Sequence, residues 1–160
     1  MVGESFPEHR KVVLHKVYRN TKQILRYIQK QGYTTTIPAG IREGQDVVEI
    51  YCETRDHELR ELQQRLQAPH EGLLGILAKS SSYLEPFRTA FENHPNLKCL
   101  TINEAQGVEF DQVFLVGVRT EIFNFQHPNP QRAQVDRDLF YVALTRAMNE
   151  LYLLGSNFSR

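Results

Sequence analysis

The stretch DRDLFYVALTRA, residues 136–147, has the spacing of a core helix and ends in a guanidinium. Phe140, Ala143, Leu144 and Ala147 follow the i, i+3, i+4, i+7 rule and define a buried face. At ~100° per residue, Arg146 lies about a third of a turn from the centre of that face, beside Leu139 and Val142. Two chemistries are open to it. One is a charge near a helix C-terminus, favourable to the macrodipole. The other is a planar fork aimed across an interface at a phosphate. Position does not separate them, because a long cationic side chain at this place can also snorkel.

A second candidate is TINEAQGVEFDQVFLVG, residues 101–117. A strand ends at Thr101-Ile102, a polar turn centred on Gly107 follows, and Glu109-Phe110-Asp111 leads into the next strand. Glycine can take a left-handed or close-approach backbone that other residues cannot. In an open α/β sheet ligands bind outside the carboxyl ends of the strands, which makes the Asn103-to-Glu109 loop a natural ligand edge. The competing reading is a plain connection with Glu109 solvated. A third candidate is Arg19 in Tyr18-Arg19-Asn20, between a possible strand, VVLHKV, and a helix start. Alone, it reads as a surface arginine.

The elements that must position these residues alternate. A helix opens near Asn20, with Gln23 as capping-box partner, Ile24, Leu25 and Ile28 on its apolar face and Gly32 at its end. Residues 46–53 read as a strand. A helix over 54–67 has Thr54 as N-cap and a Leu59/Leu62/Leu66 stripe. Residues 72–81 read as a buried strand. The capping box Ser82-x-x-Glu85 then opens a helix with Leu84, Phe87, Ala90 and Phe91 on one face and Pro86 in its first turn. Strands follow at 97–102 and 112–118, then a surface loop over 119–135, the helix of the opening stretch, and a last strand at 150–155. This alternation implies parallel pairing: a single α/β domain over residues 1–160, with an open, mainly parallel sheet flanked by helices.

Bulk properties narrow the function classes. Lys and Arg (19) balance Asp and Glu (19), so nothing general draws the chain to nucleic acid or an anionic membrane, and any anion site must be local. Cys52 and Cys99 stand far apart without a C-x-x-C or a histidine cluster, so neither a disulfide framework nor a zinc site is expected, and a reducing cytoplasm fits. No apolar run suits a signal peptide or a membrane span. There is no G-x-x-x-x-G-K-[ST]: the AKSSS stretch at 78–82 has the lysine and serine without the glycines. A nucleotide handled here would be approached from the side opposite a P-loop located elsewhere.

Taken together, the three stretches resemble the second RecA-like domain of UvrD/Rep-type superfamily 1 helicases. LHKVYRNTKQIL resembles motif IV, LTINEAQGVEFDQVFLVG motif V, and DRDLFYVALTRAMNELYLL motif VI, in the family's order. Motif VI is the most specific match, through Tyr141-Val142-Ala143 and Thr145-Arg146-Ala147. The resemblance covers about Leu14 to Leu154. It implies that Arg19 and Arg146 are the catalytic, phosphate-facing arginines, with Arg146 as the arginine finger and Arg19 reaching the γ-phosphate. It also implies that Gly107 shapes the nucleotide edge and Glu109 binds the ribose. Thr101, Asn103 and Gln106 fall in the region that lies close to the nucleic-acid strand. ATP with Mg²⁺ would be held by an N-terminal P-loop domain, so no metal ligand is assigned here.

The chain departs from the motifs at three places. Asn103 stands where the family has His, Gln106 where it has Lys, and Asp138 where it often has Arg. Asn and Gln still hydrogen-bond phosphate or sugar, without the charge. The large accessory subdomain of UvrD/Rep enzymes has no counterpart in residues 26–99, which are consumed by α/β elements, as in the compact HelD-like or related short forms. The resemblance therefore implies the C-terminal motor domain of an ATP-dependent DNA helicase or translocase. Its track would be single-stranded DNA, usually followed 3′ to 5′, and its hydrolysis would depend on the P-loop partner. The alternative is a helicase-like interaction module without motor activity, with RNA polymerase or a repair protein as partner. An unrelated flavodoxin-like domain would leave the three ordered motifs unexplained.

Overall fold

Short apolar runs alternating with helical spacing produce the expected architecture. The computed structural model describes residues 19–68, 70–118, 123, 125–156 and 158. In chain order these form α1 (Lys22–Lys30), β1 (Val48–Tyr51), α2 (Arg55–Arg65), β2 (Leu74–Ala78), α3 (Ser81–Ala90), β3 (Leu97–Thr101), β4 (Phe110–Val118), α4 (Pro130–Thr145) and β5 (Ala147–Gly155). The strands make one sheet in the order β1-β5-β4-β2-β3, and every pair is parallel. The possible strand VVLHKV lies outside the described residues.

Both faces of the sheet are covered, which is why β2 and the carboxyl-terminal parts of β4 and β5 are apolar, with Asp111, Gln112, Asn149 and Glu150 confined to the amino-terminal parts of β4 and β5. On one face, Ile24, Leu25 and Ile28 of α1 and Phe140, Ala143 and Leu144 of α4 pack on Leu77, Val113, Leu115, Leu151 and Leu153. On the other, Leu62 of α2 and Leu84 and Phe87 of α3 pack on Leu74, Ile76, Phe114, Val116 and Leu154. The two-residue period of a strand sends Ile76 to one core and Leu77 to the other. Helices of nine to sixteen residues are marginal alone, so this burial rather than propensity holds them.

Several boundaries differ from the sequence expectation, each for a local reason. The cap of α1 is Thr21, whose hydroxyl accepts from Ile24 N; Asn20 is committed elsewhere, and Gln23 turns to the Gly44 N–H. The cap of α3 is Ser80, not Ser82, because the Ser80 hydroxyl accepts from Tyr83 N. That earlier start puts Pro86 well inside the helix, where it gives no N–H to the Ser82 carbonyl. Arg55 donates to that carbonyl instead, at 3.3 Å. Ala90 is exposed rather than part of the apolar face. The expected loop at 119–135 is partly helix: Asn129 caps α4 by accepting from Gln131 and Arg132, and Pro130 occupies the first turn. Phe123, within that expected surface loop, is fully buried.

The connection from β3 to β4 decides where the candidate residues stand. Thr101 pairs with Ala78 at the carboxyl end of β2, while Gln112 pairs with Leu74 at its amino end. Residues 102–109 therefore run back across one face of the sheet, from its carboxyl edge to its amino edge, passing β2. Ile102 and Ala105 are fully buried on the α1/α4 side as they cross. The segment winds through successive turns, with Ala105 N donating to Thr101 O and Val108 N to Ala105 O. The expectation that all of Asn103-to-Glu109 sits at a carboxyl edge thus holds for its beginning and not for Glu109.

Candidate functional site

Arg146 follows the last turn of α4 as its C-cap, and β5 begins at the next residue without a loop. Its N–H donates to Ala143 O, and its carbonyl accepts from Phe110 N at the start of β4. The residue is therefore fixed between a helix end and a strand start. Its side chain is not similarly tied. Nε is buried without a hydrogen-bond partner, and one terminal nitrogen makes only a long contact, 3.4 Å, to the Thr145 hydroxyl. A buried guanidinium donor without a partner inside the domain is costly, which sets Arg146 apart from the paired groups around it.

Arg19 and Glu109 meet at the same edge. The Arg19 guanidinium lies 3.1 Å from the Glu109 carboxylate, with both side chains partly exposed. Asn20, 3% exposed, joins this pair to Arg146: its amide donates to the carbonyls of Thr145 at 3.2 Å and Ala147 at 2.7 Å, one on each side of Arg146. Thus Arg19, Glu109 and Arg146, 127 residues apart in sequence at the extremes, are carried by directly bonded backbone segments at the amino edge. Gly107 lies two residues before Glu109 with φ +83, and a Cβ there would meet nothing within 4 Å. Glycine is required at that position by the backbone angle and not by crowding.

Thr101, Asn103 and Gln106 are not brought into this group. Thr101 stands at the carboxyl edge, where its N–H donates to the Glu104 carboxylate at 2.9 Å and its hydroxyl accepts from Glu104 N at 3.1 Å. These bonds, with Arg88 alongside, hold the Glu104 carboxyl below its ordinary range. Asn103 and Gln106 are exposed along the crossing segment, with Gln106 N donating to Asn103 O. Other groups of the carboxyl edge are also paired within the domain. Lys79, just past β2, reaches the nearly buried Asp136 of α4 at 2.7 Å. Glu58 of α2, 1% exposed, accepts from the Tyr83 hydroxyl at 2.7 Å and from Gly117 N at 3.1 Å. Burial pushes the Glu58 carboxyl up to about 7, against the pull of those two donors.

Sequence reasoning missed Asn20 as a clamp, Lys79 with Asp136, Glu58, and Arg42, whose guanidinium sits between Arg19 and β5. A polar residue within a helix stripe signalled Glu58, one turn before Leu62; nothing comparable marked Arg42. Among the described residues no group of three His, Cys, Asp or Glu is placed to hold a metal ion, and no helix is long and apolar enough to cross a membrane.

Comparison with known proteins bears on this arrangement. Residues 14–157 match the family model of the UvrD-like helicase C-terminal domain. The chain is 24% identical over 152 residues to a probable DNA helicase II homolog of Mycoplasma pneumoniae, which covers 92% of this chain and 21% of that protein. It is 32% identical over 133 residues to the ATP-dependent DNA helicase UvrD2 of Mycobacterium bovis, covering 76% of this chain and 17% of that protein. The chain thus spans about a fifth of the length of these relatives. Its fold is that of the C-terminal domain of a possible DNA helicase from Lactobacillus plantarum, with a TM-score of 0.64, 21% identity and 87% of each chain covered.

Proposed function

The chain belongs to the family of UvrD-like helicase C-terminal domains, and on that premise we propose that it is the second motor domain of an ATP-dependent DNA helicase. In this reading its amino edge closes on ATP held by a P-loop domain. Arg146 supplies the arginine finger, Arg19 meets the same terminal phosphate, Glu109 takes the ribose, and Gly107 shapes the approach. The observation that carries the reading is the buried Arg146 Nε without a partner, set beside the Arg19–Glu109 pair. A triphosphate fits this donor set: an anion would satisfy Arg146 and compete with Glu109 for Arg19.

The chemistry asked of this chain is charge stabilisation during transfer of a phosphoryl group to water. Magnesium, bound with the nucleotide by the P-loop partner, would supply charge that neutralises the phosphates. The work of Arg146 and Arg19 is to place fixed positive charge where the transferring group becomes more negative. Thr101, Asn103 and Gln106 would contact single-stranded DNA through hydrogen bonds to phosphate and sugar, which suits a chain with no net charge. The test is ATP turnover of the intact polypeptide carrying this domain, with and without single-stranded DNA. Turnover stimulated by DNA and lost in Arg146→Ala is expected. Unchanged stimulated turnover in that variant would remove the finger assignment.

A further inference from the structure

Arg42 belongs to no helix, strand or motif, yet one guanidinium joins both arginine-bearing segments. One terminal nitrogen donates to the Arg19 carbonyl at 2.6 Å and to the Met148 carbonyl at 3.0 Å. The other donates to Asn149 Oδ1 at 2.6 Å. Met148 and Asn149 lie two and three residues beyond Arg146 on β5. The Asn149 amide is engaged at both ends, since its Nδ2 donates to Asp111, two residues beyond Glu109. A chain of bonds therefore runs from the backbone of Arg19 through Arg42 and Asn149 to the start of β4.

The loop bearing Arg42 is itself anchored. Lys22 N donates to Arg42 O at 2.9 Å, and Gly44 N donates to Gln23 Oε1 at 2.7 Å. A Cβ on Gly44 would come within 2.7 Å of the Thr21 side chain, so the loop lies against the first turn of α1. The Arg42 side chain is exposed, where water competes for its donors, so its bonds contribute little to holding the domain folded. What they constrain is the relation of Arg19 to the Arg146 segment. Asn20 ties the same two segments from the buried side.

We propose that Arg42 is a positioning residue, which with Asn20 fixes Arg19 and Arg146 in one rigid frame so that both guanidinium groups meet the same phosphate together. The inference rests on the proposed role of Arg19 and Arg146. A fork with three acceptors in fixed directions is a task for arginine; a lysine head presents one compact point charge. Misplacing a charge-stabilising group by about 1 Å is enough to lose on the order of 10²-fold in rate. The loss falls on kcat, because the arginines act most strongly on charge that develops during the reaction.

The test is a cycle of Arg42→Ala, Arg19→Ala and the double variant, read as ATP turnover of the intact polypeptide carrying this domain. Arg42→Ala is expected to lower kcat roughly 10- to 100-fold with KM for ATP within about threefold, and to leave the melting temperature nearly unmoved. Adding it to Arg19→Ala is expected to cost almost nothing more, since it acts through Arg19. Arg42→Lys falls between wild type and Arg42→Ala, and guards against loss of the fold in the larger truncation. If both Arg42 variants turn over like wild type, or if their losses multiply with that of Arg19→Ala, Arg42 does not position Arg19 and the inference fails while the reading of Arg19 stands. If Arg19→Ala itself leaves turnover unchanged, the reading of Arg19 fails, and this inference with it.

Discussion

The two edges of one sheet treat their polar groups in opposite ways. At the carboxyl edge the described groups are satisfied inside the domain: Lys79 by Asp136, Glu58 by Tyr83 and Gly117, and Thr101 by Glu104. At the amino edge the bonds are spent on backbone carbonyls around Arg19 and Arg146, and the Arg146 Nε is left without a partner. An edge that is internally paired contributes to stability. An edge that holds a buried donor without a partner inside the domain is, on the function proposed above, prepared for a ligand from outside it. Segment 102–109 links them, beginning beside Thr101 and ending at Glu109.

The contrast breaks most sharply at Arg146. Arg146→Ala should reduce DNA-stimulated ATP turnover of the intact polypeptide by roughly 10³–10⁵-fold, the range for removal of an arginine finger. The melting temperature should hardly change, since no described partner loses a strong bond. Asn103→Ala and Gln106→Ala should act differently. They should raise the concentration of single-stranded DNA needed for half-maximal stimulation, with maximal turnover retained. Loss of maximal turnover in those variants, with DNA affinity intact, would erase the division between the edges.

The next largest effect belongs to Glu58 and is a matter of pH. Its carboxyl is raised from 4.5 to about 7, chiefly by burial. The native state therefore keeps a proton that the unfolded chain has already released. The resulting stability is complete below about pH 4.5 and is lost as pH rises through about 7. At 1.36 kcal/mol per unit, the swing is on the order of 3 kcal/mol. Chemical denaturation from about pH 5 to pH 8 should show wild type weakening where Glu58→Gln stays nearly level. Parallel curves would mean that Glu58 does not hold its proton in the folded state.

Much of this molecule was legible in the sequence, and what escaped has a common cause. The apolar stripes of α1 and the interior of α4 were readable because burial on a helix imposes a period. Arg19, Glu109 and Arg146 were readable as a set through ordered motifs, and the fold brings their segments together. Asn20 and Arg42 were not, because their acceptors, apart from Asn149 Oδ1, are main-chain carbonyls, which leave no residue pattern. The edge on which Glu109 stands was also hidden. Eight residues between two strand-like runs look like a turn between neighbours, and only the strand order reveals that β2 lies between them. Asn129-Pro130 carried a helix-start signal that the surrounding Pro and Gln content masked.

A smaller effect is expected from the carboxyl-edge ion pair. Lys79→Ala removes the ammonium that lies 2.7 Å from the nearly buried Asp136, while Lys79 itself is partly solvated, which moderates the cost. A loss of about 2 kcal/mol follows, less than the roughly 3–5 kcal/mol for breaking a fully buried pair. In a domain of this size that is a melting temperature lower by roughly 4–8 °C. Nucleotide turnover per folded molecule should be unaffected. A variant as stable as wild type but slow in turnover would give Lys79 a part in turnover rather than in holding the fold.

The smallest effect tests the link between the edges. Gly107 has φ +83, and an added Cβ would touch nothing within 4 Å, so Gly107→Ala is opposed by the left-handed backbone alone. That costs about 1 kcal/mol, or a melting temperature lower by roughly 2–4 °C. The contrast is Gly155, where a Cβ would collide with the Val118 backbone and no relaxation of a flexible side chain can relieve it. If Gly107→Ala melts like wild type, the segment does not need its left-handed turn. If it melts only slightly lower but turnover falls well beyond that cost, residues 107–109 transmit a constraint to Glu109, and the crossing segment couples the edges as well as spanning them.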